Sequence, residues 1–200
     1  MAELDNPKAR TALDPLEIIV GGPSDAGVVL TEIPFRTKLV LRGHLSEKAF
    51  VTAVKSVLGA APPPEPNTVA SAKDVRILWT GPDEWMVYGD DAALAGKLSK
   101  ALEGQHAAVT EVTEHHTTIR LSGRHARDVM AKGCAIDLHP RAFGPGKCAQ
   151  SHIGRITVLF DQLDEVPTYD ILVRSSFAEY LWSYLEDAGL EFGVRIESLG

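Results

Sequence analysis

The sequence predicts an α+β protein built from two related halves, each running strand, helix, strand, strand, helix, strand, the split-βαβ succession. Three observations lead there. Period-two alternation and apolar spacing of three to four residues follow one another in the same order twice along the chain. The strand-ending pair Arg42-Gly43 recurs as Ser122-Gly123, 80 residues later. The second helix of each half, starting at Asp90 and at Ser175, keeps a similar offset, which marks an internal duplication. On this reading residues 1–29 are an N-terminal arm, 30–113 the first α+β half and 114–200 the second, the two halves joined in one compact domain.

The arm is dense in Pro, Gly and Asp, as in Gly21-Gly22-Pro23-Ser24-Asp25, and has no sustained period. Alternation then begins in Lys38-Leu39-Val40-Leu41-Arg42. A helix follows from an N-cap at Ser46, with Phe50, Val54 and Leu58 four residues apart. The prolines of residues 60–67 end it, because each lacks a donor and disfavours helix before it. Strands at 75–80 and 84–88 are joined by Gly81-Pro82-Asp83, where Pro presets φ and Asp can bond backbone amides. A helix at 90–102 and a strand at 107–112 complete the half. The second half repeats the order: strand 117–121, helix 123–132, strands 155–160 and 168–173, helix 175–188 and strand 191–196. In the last helix Phe177, Leu181, Tyr184, Leu185 and Ala188 line one face; Tyr180 and Trp182 lie off it, against the same chain or a partner.

Composition excludes several classes. The net charge of −7 and the lack of a basic stripe argue against a nucleic-acid partner, whose binding rests on clustered Lys and Arg. The start is polar and acidic, without the apolar core of a signal peptide, and no run approaches the ~20 apolar residues of a membrane span. A cytoplasmic protein with no membrane partner is expected, and its two cysteines are then thiols, not a disulfide framework.

Candidate chemistry concentrates in residues 131–150, AKGCAIDLHPRAFGPGKCAQ. Loops beyond ~12 to 15 residues are usually functional. Lys132, Cys134, Asp137, His139, Arg141, Phe143, Cys148 and Gln150 are therefore the candidate loop-motif or partner-contact residues. Arg141 is expected to hold the loop by a charge-assisted hydrogen bond to a partner or to the opposite half of the chain. Other chemistries fit less well. Cys134, His139, Cys148 and His152 supply zinc-type donors at C-x4-H-x8-C-x3-H, but without the close thiolate pair of zinc knuckles. A thiol enzyme needs an imidazole beside Cys134 or Cys148, and no motif assigns His115, His116, His139 or His152 to either. Gly144-Pro145-Gly146-Lys147 lacks the P-loop frame, and Pro145 removes an amide that a phosphate cradle needs. No catalytic, metal-binding or cofactor-binding residue is assigned to this chain.

Read together, Leu30-Thr31-Glu32-Ile33-Pro34-Phe35, Gly81-Pro82-Asp83-Glu84-Trp85, Leu121-Ser122-Gly123, the run from Lys132 to Phe143, Pro145-Gly146-Lys147-Cys148-Ala149-Gln150 and the segment from Arg174 to Leu181 resemble the gamma subunit of heterotetrameric sarcosine oxidase. Ser151 departs from the Thr expected after Cys-Ala-Gln. The resemblance implies an aminomethyltransferase-like, folate-binding fold. It further implies a non-catalytic subunit beside alpha, beta and delta chains that hold FAD, FMN, NAD, tetrahydrofolate and zinc. That complex oxidises sarcosine to glycine with hydrogen peroxide and passes the one-carbon unit to tetrahydrofolate. The alternative is a free-standing folate-binding one-carbon carrier, which needs a central cavity and a carboxylate to read the pterin, with Glu84, Glu114 and Asp137 as candidates.

Overall fold

Alternation places one face of each sheet on a pair of helices and leaves the other face for the second sheet, so the chain stacks as helices, sheet, sheet, helices. The structure is a computed structural model that describes residues 10–198. Its elements are β1 (Val28–Ile33), β2 (Thr37–Arg42), α1 (Lys48–Leu58), β3 (Val69–Ala72), β4 (Val75–Gly81), β5 (Glu84–Gly89), α2 (Leu94–Ala101), β6 (Ala108–Glu111), β7 (His116–Ser122), α3 (Ala126–Gly133), β8 (Cys148–Ile153), β9 (Ile156–Gln162), β10 (Tyr169–Arg174), α4 (Ala178–Gly189) and β11 (Val194–Ser198).

The smaller sheet runs β3-β4-β5-β2-β6, and the larger β11-β1-β7-β10-β9-β8. Phe50, Val54 and Leu58 of α1 and Leu94 and Leu98 of α2 pack on Leu39, Leu41, Ile77, Trp85 and Val87 of the smaller sheet. On the larger sheet, Ala126, Val129 and Met130 of α3 and Leu181, Trp182 and Leu185 of α4 cover Ile119, Leu121, Phe160 and Ile171. The opposite faces meet through Leu78, Met86, Tyr88, Cys148, Leu159 and Leu172. The core is thus three apolar layers, two between helices and sheets and one between the sheets.

Three strands depart from the sequence reading. β1 lies partly in the residues assigned to the arm, yet it sits inside the larger sheet, parallel to β11 and antiparallel to β7. β1 thus straddles the arm boundary at residue 30 and joins the sheet formed by the strands of the second half. The arm itself is docked, since Leu13 is buried with Leu16 and Ile18 against the same core. The sequence pattern signals no strand at β3 or β8, yet each adds an edge strand to its sheet, β3 beside β4 and β8 beside β9.

Helix starts shift inward for local reasons. α1 begins after Glu47 with no side-chain cap, so Ser46 does not serve as N-cap. Asp91 lies outside α2, and its carboxylate accepts the Ala93 amide at 2.9 Å. Ser175–Phe177 forms a 3-10 turn before α4. Pro82 and Asp83 close the β4–β5 hairpin, and Asp83 takes φ 59°, a left-handed conformation that Asp tolerates.

Candidate functional site

The faces that the two sheets turn to each other divide into an apolar half and an ionic half. Residues two apart on a strand share a face, so on β5 the pair is Met86 and Tyr88, on β9 Leu159 and Asp161, on β10 Leu172 and Asp170, and on β4 Leu78 and Arg76. In the ionic half Arg76 Nε donates to Asp161 Oδ2 at 2.5 Å, and Arg120 donates to both oxygens of Asp170 at 2.7 and 3.0 Å. The Tyr88 hydroxyl donates to Asp161 Oδ1 at 2.8 Å and reaches Asp170 Oδ2 at 3.3 Å. Arg36 lies 4.9 Å from the Tyr88 ring centroid and bonds Asp170 at 3.3 Å and Asp90 at 2.6 Å.

Both central carboxylates are fully buried. Such groups persist only when paired and hydrogen-bonded. Burial pushes the Asp161 carboxyl up to about 6, with Asp170 adding to the shift and Arg76 opposing it. Burial likewise pushes the Tyr88 phenol up, so it remains a proton donor to both carboxylates. The arrangement ties β4 and β5 of one sheet to β9 and β10 of the other. It is a lock between halves, in which every charged oxygen is already engaged.

The sequence pattern singles out neither Asp161 nor Asp170: its strand at 155–160 stops one residue short of Asp161, and Asp170 is one charge within the strand at 168–173. The signal was present: Val158-Leu159-Phe160-Asp161 and Asp170-Ile171-Leu172-Val173 are apolar on both faces, and a charge in a strand buried on both sides requires a partner.

The apolar half opens into a cleft of about 380 Å³. Val40, Met86, Leu159 and Leu172 line it, with Glu84, Gln150, His116, Arg155 and Arg174 also contributing. Glu84 is committed to Arg42, whose Nε donates at 2.7 Å, and to Thr80 at 3.2 Å. Gln150 donates to the Thr80 carbonyl at 2.6 Å. Burial, with His115 and Lys38 adding, lowers His116 to about 4, so its ring is neutral near pH 7.

Of the loop expected over 131–150, only residues 134–147 connect α3 to β8, and two buried side chains anchor them. Leu138 and Phe143 enter the core under the larger sheet, Phe143 packing 5.2 Å from Phe160. Asp137 accepts the His139 amide at 3.0 Å, and His139 Nδ1 accepts the Arg141 amide at 3.2 Å, a self-contained turn. Arg141 is 77% exposed and its nearest carboxylate is Asp137 at 3.8 Å. Among the described residues, the expected bond from Arg141 to the opposite half is therefore not made. That junction is made instead by backbone: Cys148 donates to Asn67 and Val69 to Gly146, at 3.0 and 2.9 Å. Lys132 turns away from the loop, bonding the Ala188 carbonyl at 2.5 Å and pairing with Glu191.

The two thiols lie in different layers. Cys134 is buried in the core beneath α3 and α4, whereas Cys148 is buried between the sheets, its thiol 3.4 Å from the Thr68 carbonyl. Burial pushes Cys148 up to about 12, a thiol and not a thiolate. His139 bonds within its own turn and His152 lies 3.5 Å from Thr157, so the four zinc-type donors do not converge. Of the three carboxylates considered for a pterin, only Glu84 lines the cleft between the sheets.

The Sarcosine oxidase, gamma subunit family matches residues 42–191. The sarcosine oxidase gamma subunit of Arthrobacter sp is 34% identical over 178 residues, covering 88% of this chain and 87% of that one. The gamma subunit of Corynebacterium sp. (strain P-1) matches at the same identity and coverage. Among solved structures, a chain of heterotetrameric sarcosine oxidase from Corynebacterium sp. U-96, in complex with pyrrole 2-carboxylate, superposes with a TM-score of 0.85 at 28% identity, covering 93% of this chain and 97% of that one. The glycine cleavage system aminomethyltransferase T of Bartonella henselae shares the fold, with a TM-score of 0.64 at 13% identity over 88% of this chain and 49% of its own. A match that runs through both sheets and nearly end to end on its relatives places this chain in the sarcosine oxidase gamma subunit family, to which it belongs.

Proposed function

We propose that this chain is the non-catalytic gamma subunit of a cytoplasmic heterotetrameric sarcosine oxidase, packing against alpha, beta and delta subunits. The observation that carries the reading is the end-to-end likeness, in sequence and in fold, to a chain of a heterotetrameric sarcosine oxidase. The two halves are then split-βαβ units: β2-α1-β4-β5-α2-β6 and β7-α3-β9-β10-α4-β11 run in the same order, with β1 inserted in the larger sheet. FAD, FMN, NAD, tetrahydrofolate and zinc belong to the partner subunits. The whole complex oxidises the N-methyl group of sarcosine, yielding glycine and hydrogen peroxide, and transfers the one-carbon unit to tetrahydrofolate. This chain's contribution is a packed body whose two buried carboxylates, Asp161 and Asp170, are paired within the chain, leaving exposed side chains for its partners. No described helix is long and apolar enough to cross a membrane.

Co-purification from the native host followed by mass spectrometry tests this. Recovery of the chain with three other subunits and sarcosine oxidase activity is the expected result. A chain that travels alone, or with unrelated proteins, overturns it.

The cleft between the sheets favours a second reading, a folate-binding one-carbon carrier. A thermal-shift titration of the isolated chain with tetrahydrofolate separates the two. A ligand at ~100 times its Kd adds about 2.7 kcal/mol, so a saturable rise of several degrees identifies the carrier, and no shift supports the subunit.

A further inference from the structure

We propose that the open half of the layer between the sheets is a socket for an acidic, apolar segment of a partner subunit, guided by Arg155 and Arg174. This rests on the subunit reading above and names the surface that it uses.

The floor is apolar and already built: Val40 and Met86 come from one sheet, Leu159 and Leu172 from the other. Phe177, 44% exposed, extends it, and Tyr180, 40% exposed, lies one helical turn further on. Large exposed aromatics beside a concave apolar slot are the residue types that anchor protein interfaces.

The charge is one-sided. Arg155 and Arg174 are both exposed, and among the described residues neither has a carboxylate within ion-pair distance. The one carboxylate of the cleft, Glu84, is held by Arg42. His116 is neutral there. In a chain whose net charge is −7, two guanidiniums on one cleft that no described carboxylate pairs call for carboxylates from outside.

Both arginines are mounted on stiff supports. Arg155 occupies the β8–β9 hairpin turn, where its amide donates to the Tyr180 hydroxyl at 3.3 Å. Its neighbour Gly154 has φ 58°, and an added Cβ would fall 2.7 Å from that same hydroxyl, so the turn rests directly on α4. Arg174 ends β10, and the next residue, Ser175, donates its hydroxyl to the Glu114 carbonyl at 2.9 Å and its amide to His115 at 3.0 Å. Fixed backbone under both side chains lowers the ordering cost of binding. The socket opens at the end of the layer opposite the Tyr88, Asp161 and Asp170 lock, so occupation needs no internal ion pair to break.

The test uses the assembled complex. The chain is co-expressed with its partner subunits as wild type, as the charge-reversed pair Arg155→Glu and Arg174→Glu, and as the charge-keeping pair Arg155→Lys and Arg174→Lys. Its stoichiometry is read by native mass spectrometry at low and high salt. Charge reversal should weaken incorporation by ~tenfold or more, with the Lys pair close to wild type and high salt reducing the difference. Unchanged thermal melting of the isolated charge-reversed chain shows that folding is intact. If it melts early, the neutral pair Arg155→Gln and Arg174→Gln supplies the same comparison. Full incorporation of a folded charge-reversed chain overturns the socket while leaving the subunit reading in place. Failure of the wild type to join any complex overturns the subunit reading and the socket with it.

Discussion

The Tyr88 hydroxyl meets the Asp161 carboxylate at 2.8 Å across the gap between the two sheets, one from β5 and the other from β9. Arg76 bonds the second oxygen of the same carboxylate, so a fully buried anion is satisfied from the opposite sheet on both sides.

Removing one partner should therefore cost far more than removing the pair. Arg76→Met leaves Asp161 buried without its cation and should destabilise the chain by about 3 to 5 kcal/mol, the range for breaking a buried pair. Tyr88→Phe removes one donor and should cost about 1 to 3 kcal/mol. The double variant Arg76→Met with Asp161→Leu should recover much of the loss, because no unpaired charge remains. Urea unfolding of the three variants checks the order, and a double variant no more stable than Arg76→Met would refute it.

Cys148 should be inert in the folded protein. Burial pushes its thiol up to about 12, which at pH 8 leaves about a thousandfold fewer thiolates than an ordinary cysteine. Iodoacetamide with the native chain should leave Cys148 unmodified, and peptide mapping after denaturation should show it labelled. Rapid labelling of the native chain would contradict the placement between the sheets.

Most of the elements were legible where periodicity was strong. Phe50, Val54 and Leu58 announced α1, and the alternation in 38–42 announced β2. What the sequence hid was pairing at a distance. β1 has the β-prone residues Val28, Val29, Leu30 and Ile33, yet the Gly and Pro before it masked it, and its partners lie about 90 and 165 residues downstream. β8 reads Cys-Ala-Gln-Ser-His-Ile, too polar to signal a strand until β9 pairs with it. The chemistry-rich loop drew attention because reactive residue types are conspicuous. Asp161 and Asp170 are ordinary residues, and only their burial makes them consequential.

His116 should sharpen the loss of stability in acid. Its folded value, lowered to about 4 chiefly by burial, lies below the ordinary 6.5, so between those values the unfolded chain binds the extra proton and the folded chain does not. Stability contributed by this site thus falls as the pH drops from about 6.5 towards 4. His116→Gln should lose less stability than wild type between pH 7 and pH 5, as followed by chemical unfolding at each pH. Parallel pH profiles for the two proteins would count against it.

In the connection between α3 and β8, Arg141 and Phe143 lie two positions apart and serve different ends. Phe143 is buried against Phe160, so Phe143→Ala should destabilise the isolated chain by about 3 to 5 kcal/mol, the cost of emptying an aromatic core site. Arg141 is 77% exposed and 3.8 Å from Asp137, its one carboxylate neighbour among the described residues. Exposed pairs of that kind contribute ~0 to 1 kcal/mol, so Arg141→Ala should leave the melting temperature of the isolated chain close to wild type, as should Arg10→Ala in the arm. The two arginines should part only in the complex. If Arg141 serves a partner subunit, Arg141→Ala weakens assembly where Arg10→Ala does not. Equal assembly of both variants, with equal melting temperatures, would mean that Phe143 and the backbone turn of Asp137, His139 and Arg141 hold this loop for the chain's own stability and that its charge has no partner.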